Sequence, residues 1–159
     1  MVGASTITQQ VAKNFLLTNE VSIDRKIKEA LLALRIERTL TKEKILELYL
    51  NEIFLGFRSY GIVVAANNYF NKSLDDLKIS EIAFLAGLPK GPNNYHPIKK
   101  YDSAVNRRNY VLSRMFEEGI ISKLDFYKGI NTKLIVDSYS SKKLVKAHYF
   151  SEEIRKIAI

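Results

Sequence analysis

Apolar residues return at helical spacing along most of this chain, and the breaks in that rhythm divide it into short helices. Ile7, Val11 and Phe15 begin the pattern, which predicts a first helix over about residues 6–17, ended by Thr18-Asn19. Ser22 is placed to cap a second helix reaching Arg38 or Thr39, with Ile27, Ala30, Leu31 and Leu34 on one stripe. Thr41 starts a third. Its Ile45, Leu46, Leu48, Tyr49, Leu50 and Ile53 are apolar on more than one side, which predicts a central, buried helix closed by Gly56.

The second half keeps the same period. Gly61 opens a small-residue helix over residues 62–70, where Ala65 and Ala66 permit close approach and Tyr69-Phe70 supply bulk. Ser73 and Ser80 are expected to cap two further short helices, the second ended by Gly87 and Pro89. The run from Lys90 to Pro97 is rich in turn formers and reads as a loop, and Asp102 is expected to cap a helix through Val105, Val111, Leu112, Met115 and Phe116, stopped at Gly119. Ser122 with Asp125 resembles a capping box. Leu134-Ile135-Val136 is the one run with extended character, and Ser151 is placed to cap a last amphipathic turn.

Composition narrows the reading. A chain of 159 residues fits one domain, able to bury roughly two-thirds of its unfolded surface. It contains no cysteine, which removes disulfides and thiolate metal sites but selects no compartment. A net charge of +8 points to anionic partners: nucleic acid, an acidic membrane surface or a phosphorylated substrate. The basic residues are spread and interrupted by Glu20, Glu29, Glu37, Glu43 and Glu47, so no single recognition helix for nucleic acid stands out. No run approaches the length of a spanning helix and no signal sequence opens the chain.

Two stretches carry candidate chemistry. In Gly3-Ala4-Ser5-Thr6-Ile7-Thr8-Gln9-Gln10, Thr6 and Gln9 have capping-box spacing, so free N–H groups and the positive dipole end of a helix would face an anion. In Arg25-Lys26-Ile27-Lys28-Glu29, helical spacing gathers two cations and a carboxylate on one face. Together they suggest a site for a phosphate-bearing ligand. By spacing alone, an ordinary helix cap and a solvated ion-pair face are the favoured readings of these two stretches. His96 and His148 have no ligand partners at metal spacing. Arg107 and Arg108 fit either surface charge or a brace for their helix.

Read in order, GASTITQQVAKN, RKIKEA, KEKILELYLNEIFLG, YGIVVAANNYF, EIAFLAGLPKGPNNYHP and RRNYVLSRM resemble the peptidoglycan glycosyltransferase domain of class A penicillin-binding proteins and monofunctional transglycosylases, glycosyltransferase family 51. The resemblance runs from Gly3 to about Gly119 and is looser afterwards. It implies a mainly α, lysozyme-like helical domain over residues 1–130, with residues 131–159 as an extension resembling the start of a linker to a transpeptidase domain.

The implied activity is polymerisation of lipid II into glycan strands, by inverting transfer from a polyprenyl pyrophosphate-linked donor. Such chemistry needs a base for the acceptor hydroxyl and positive charge for the departing pyrophosphate. The resemblance assigns Ser5, Thr6, Gln10, Lys13, Arg25 and Lys26 to substrate binding and Glu29 to the catalytic centre. Glu29 would orient Lys26 and Arg25, or hold a divalent cation (Mg2+ or Mn2+) against the phosphates; no other cofactor is implied. Val21 stands where relatives often carry a basic residue. The implied partners are lipid II, the polyprenyl pyrophosphate-linked glycan and a membrane surface, which Phe15-Leu16-Leu17 is placed to touch, and no nucleic acid is expected. The implied location is the periplasmic or outer face of a bacterial inner membrane.

The family's opening motif, an acidic pair in the pattern EDxxFxxHxG, lies upstream of the glycine-serine-threonine motif, and the sequence begins at Met1-Val2. The general base is therefore expected to be absent and the chain poorly active, with two other readings beside it: an inactive remnant that still binds lipid pyrophosphate, and a basic helical nucleic-acid-binding protein.

Overall fold

The computed structural model describes residues 5–16 and 22–137, and the chain forms two compact units, Met1–Ile53 and Phe54–Ile159. Among the described residues there are seven α-helices and no paired strand beyond one isolated bridge.

The first unit holds α1 (Ile7–Leu16), α2 (Ile23–Thr39) and α3 (Lys42–Glu52), with α1 packed on both of the others. Each start is fixed locally. Thr6 Oγ1 accepts from Gln9 N and Gln9 Oε1 accepts from Thr6 N, the reciprocal pair expected from their spacing. Ser22 Oγ accepts from Arg25 N and Thr41 Oγ1 from Lys44 N, as the sequence predicts. The core joins Val11 to Ile45 and Tyr49, with Ile36, Leu40, Leu48, Leu50 and Ile53 packed around it.

Two expectations for this unit change. The α2 stripe faces solvent: Ile23, Ile27, Leu31 and Leu34 are each more than half exposed, while Glu29 and Ala33 face inward. Nor is α3 buried all round, because only Ile45 and Tyr49 are enclosed and Leu46 is exposed. It also ends at Glu52 rather than running to Gly56. The reason is that Phe54 and Tyr60 pair across a tight hairpin, and residues held in that pairing cannot continue a helix.

In the second unit the hairpin leads into α4 (Ile62–Phe70), α5 (Ile79–Gly87), two 3-10 turns (Leu88–Lys90 and Pro92–Asn94), α6 (Tyr101–Glu117) and α7 (Lys123–Asn131). The hairpin turn is unusual. Ser59 N donates to Gly56 O, and Phe57 and Arg58 both have positive φ, near 50° and 57°, the signature of a type I′ turn that glycine or asparagine normally fills. Phe57 is retained by packing against Tyr69 and His96, and Asn68 Nδ2 donates to the Ser59 hydroxyl oxygen. Gly56 has no room for a side chain, since an added Cβ would meet the Tyr69 hydroxyl at 2.9 Å.

Helix α5 packs on α4, α6 and α7 around Tyr69, Phe70, Phe84, Leu85 and Leu112. Its cap differs from expectation. Ser80 is buried inside the helix, and the Glu81 carboxylate accepts from Lys78 N and from Lys72 Nζ, so an ion-paired carboxylate does the capping. Ser73 closes a turn by donating to Asp76 and starts no helix, and Asp102 lies in the first turn of α6 instead of capping it. Ser122 caps α7 as predicted, accepting from Asp125 N, and Gly119 takes φ of +70° after α6. Residues 134–136 form no strand pair, although Leu134 is buried. Ser151 and His148 lie outside the described residues, as does most of the extension expected over residues 131–159.

Arg108 explains how α7 is held. Its side chain is fully enclosed, and it donates to Thr132 O, Ile130 O and twice to Asn109 Oδ1, so the orphan carbonyls at the end of α7 meet a guanidinium. Burial pushes its pKa down, against a smaller opposing effect of Tyr101. It is a brace.

Candidate functional site

The candidate anion site is built in the first unit, where α1 starts and the first turns of α2 run past it. Lys26 joins the two. Its Nζ donates to Ser5 Oγ at 2.9 Å and to Glu29 Oε1 at 2.5 Å. The spacing of three residues on α2 places Lys26 and Glu29 together. The contact with Ser5 requires the tertiary fold.

Exposure separates the two partners. Glu29 is only 2% exposed, whereas the Lys26 side chain is 52% exposed. A buried carboxylate is costly unless paired, so Glu29 needs Lys26, and Lys26 still reaches water with its remaining donor capacity. The carboxylate thus serves as an anchor that fixes a cation at the edge of the unit.

The other expected groups differ in how near they come to that cation. Gln10 reaches back toward Ser5, its Nε2 lying 3.5 Å from Ser5 O, and Gln10 N closes the first helical bond to Thr6 O. Thr6 is occupied as a cap. The N–H groups of Ile7 and Thr8 belong to the first turn, which has no intrahelical acceptors, so the helix end carries positive polarity beside Lys26. Arg25 is half-buried on α2. Lys13 is exposed one turn beyond Gln10 and makes no hydrogen bond within the cluster. Ser5, Gln10, Lys26 and Glu29 are therefore brought together directly, with Thr6 as cap and Lys13 standing apart. Val21 and the Phe15-Leu16-Leu17 side chains lie outside the described residues.

A metal fits this donor set poorly. The one carboxylate in the cluster is engaged by Lys26, and no group of three or more His, Asp or Glu side chains stands together among the described residues. His96 is used locally: its Nδ1 accepts from Ile98 N and Lys99 N. A cavity of about 600 Å³ in the same unit is lined by Ile7, Thr8, Leu40, Ile45 and Leu46, with Glu37 and Lys42 as its charged groups. It is mainly apolar and includes none of Ser5, Lys26 or Glu29, so it is distinct from the anion site.

Residues 1–116 match the model of the family described as Transglycosylase. The chain belongs to the transglycosylase family. The matched span contains every residue of the cluster, from Ser5 to Glu29.

Among curated transglycosylase relatives, penicillin-binding protein 1A of Rickettsia prowazekii is 49% identical over the whole chain and 20% of its own length. Penicillin-binding protein 1A of Escherichia coli K12 is 50% identical over 97% of the chain and 18% of its own length. The crystal structure of penicillin-binding protein 1A from Haemophilus influenzae superposes with a TM-score of 0.59 at 33% identity, covering 96% of this chain and 20% of that one. The chain thus spans about a fifth of the length of these relatives. Over the superposed part, the mainly α fold of this chain agrees with that structure.

Sequence spacing could not show the burial of Glu29, because the same i,i+3 pattern occurs on open helix faces. It also could not separate Arg108 from Arg107. The signal would have been a helix end, near Ile130, with no capping residue to satisfy its carbonyls.

Proposed function

We propose that this chain supplies the donor-pyrophosphate site of a peptidoglycan glycosyltransferase that polymerises lipid II by inverting transfer. One observation carries the reading: Lys26 is held between Ser5 Oγ and buried Glu29, with half its side chain open, beside a helix start. A departing pyrophosphate gains negative charge, and a cation fixed beforehand stabilises that charge without reorganising at the moment of bond breaking. Lys26 takes that role, Ser5 and Gln10 orient phosphate oxygens, and Arg25 and Lys13 add positive charge on the flanks. Glu29 is a positioning residue, because a carboxylate engaged by an ammonium would repel a pyrophosphate if left free.

A membrane surface is the second partner in this reading. Ile23, Ile27, Leu31 and Leu34 line an exposed stripe on α2, and Lys28 and Arg35 are exposed beside it. An apolar stripe edged by cations suits the interface of an anionic bilayer, where a polyprenyl chain is anchored. No helix among the described residues is long and apolar enough to cross a membrane. The place of action is the outer face of the bacterial inner membrane.

The test is lipid II retention and conversion by the full chain. Lipid II should bind and Lys26→Ala should weaken binding at least tenfold, since a charge-assisted bond to phosphate is worth about 1.5–3 kcal/mol. Any glycan polymer formed should fall in parallel. Lipid II binding that is indifferent to Lys26→Ala and Ser5→Ala would remove the assignment.

A further inference from the structure

Helix α6 carries two successive arginines with opposite environments. Arg108 is enclosed and has spent its donors on Ile130, Thr132 and Asn109. Arg107 has spent one. Its Nε donates to Gly87 O at 3.1 Å, and its two terminal nitrogens have no hydrogen-bond partner among the described residues, nor are they sealed from solvent.

The guanidinium is nevertheless held still. Its carbon lies 5.1 Å from the centre of the Tyr110 ring and 5.9 Å from that of Tyr95, so an aromatic side chain borders it from each of two elements. The stem is also fixed, because Cγ runs so close to Gly87 that an added Cβ there would stand 3.0 Å away. An arginine exposed on a helix commonly ends on a carboxylate of its own chain, as Arg114 does with Glu117 and Glu118. Among the described residues, Arg107 has no such carboxylate.

We propose that Arg107, bordered by Tyr95 and Tyr110, is a preformed clamp for a carboxylate-bearing ligand. The two terminal nitrogens present parallel N–H groups spaced for the two oxygens of a carboxylate. The ordering cost has been met within the folded chain, which favours binding. The bordering rings suit a planar anion carried on a small apolar or sugar body better than they suit a tetrahedral phosphate. Such a carboxylate comes from a peptide end or from an acidic sugar. The clamp uses no residue of the pyrophosphate cluster, so its failure would leave the glycosyltransferase reading intact.

The test uses the full chain with nitrogen-15 arginine, following the Nε–H signal of Arg107 during titration with N-acetylalanine, N-acetylalanine amide, glucuronate and inorganic phosphate. A saturable shift is expected with N-acetylalanine, glucuronate or both, identifying a peptide or a sugar source, with none from the amide and a weaker response to phosphate. Exposed Arg58 is the internal reference and should not saturate. Arg107→Lys, which has no Nε–H to follow, is titrated with the same ligands by calorimetry and should lose the carboxylate binding. Tyr110→Leu, at a residue 56% exposed, should keep the fold and weaken binding at least threefold; it decides the matter alone if Arg107→Lys does not fold. Equal responses of Arg107 and Arg58, tighter binding of phosphate than of either carboxylate, or unchanged affinity in Tyr110→Leu would overturn the proposal.

Discussion

Lys26 reaches Ser5 across 21 residues of sequence, its Nζ 2.9 Å from the serine oxygen while it also holds the enclosed carboxylate of Glu29. This gives Lys26 two separable duties. Lys26→Met should destabilise the first unit by about 1–3 kcal/mol, because it strands a buried carboxylate. Adding Glu29→Met should recover most of that loss, since no buried charge then remains. Glycolipid binding should stay lost in both variants. Thermal unfolding and binding measured on the same samples check the pair, and stability that falls further in the double variant would contradict it.

Arg58 occupies a left-handed position that glycine would fill without strain. Arg58→Gly should raise stability by up to about 1 kcal/mol. Phe57→Gly should lower it, because Phe57 packs against Tyr69 and His96. Urea unfolding of the two variants gives the comparison, and equal signs would count against the turn geometry.

Burial pushes the Tyr69 hydroxyl up to about 12, where it donates to Leu55 O. The folded value exceeds the ordinary value of 10, so the folded state holds its proton more tightly. The resulting stability is fully present below pH 10 and is lost as pH rises toward 12, by about 2–3 kcal/mol at one unit per 1.4 kcal/mol. Tyr69→Phe should remove that part of the alkaline loss. Unfolding midpoints between pH 9 and 11.5 check this, and identical slopes for the two proteins would refute it.

The α2 stripe should bind anionic vesicles. Ile27→Glu with Leu31→Glu should abolish vesicle binding and leave the helical spectrum unchanged, since both side chains are more than half exposed. Co-sedimentation with vesicles of anionic and of neutral lipid measures it. Binding that survives both substitutions would move the membrane contact elsewhere.

Much of this was legible in the sequence. Thr6 with Gln9, Ser22, Thr41 and Ser122 act as caps because a cap needs only local spacing, and α1 and α2 end within a residue of their expected limits. The misses have a common cause. A helical apolar stripe states which residues share a face but not whether that face is covered, so the exposure of the α2 stripe is not legible in its spacing. Ser80 has a capping side chain, yet Glu81 with Lys72 satisfies the start of α5 through an ion pair formed nine residues apart. In the site, the Lys26–Glu29 spacing was visible, whereas the Ser5 contact and the enclosure of Glu29 depend on α1 meeting α2.

The most direct measurement is titration of the full chain with a polyprenyl pyrophosphate in detergent, with the matching polyprenyl alcohol as control and Lys26→Ala as variant. The expected result is saturable binding of the pyrophosphate, at least tenfold weaker binding of the alcohol, and a similar loss of pyrophosphate affinity in Lys26→Ala. Equal affinity for alcohol and pyrophosphate, or a variant that binds as tightly as the parent chain, would contradict a pyrophosphate site at Ser5 and Lys26.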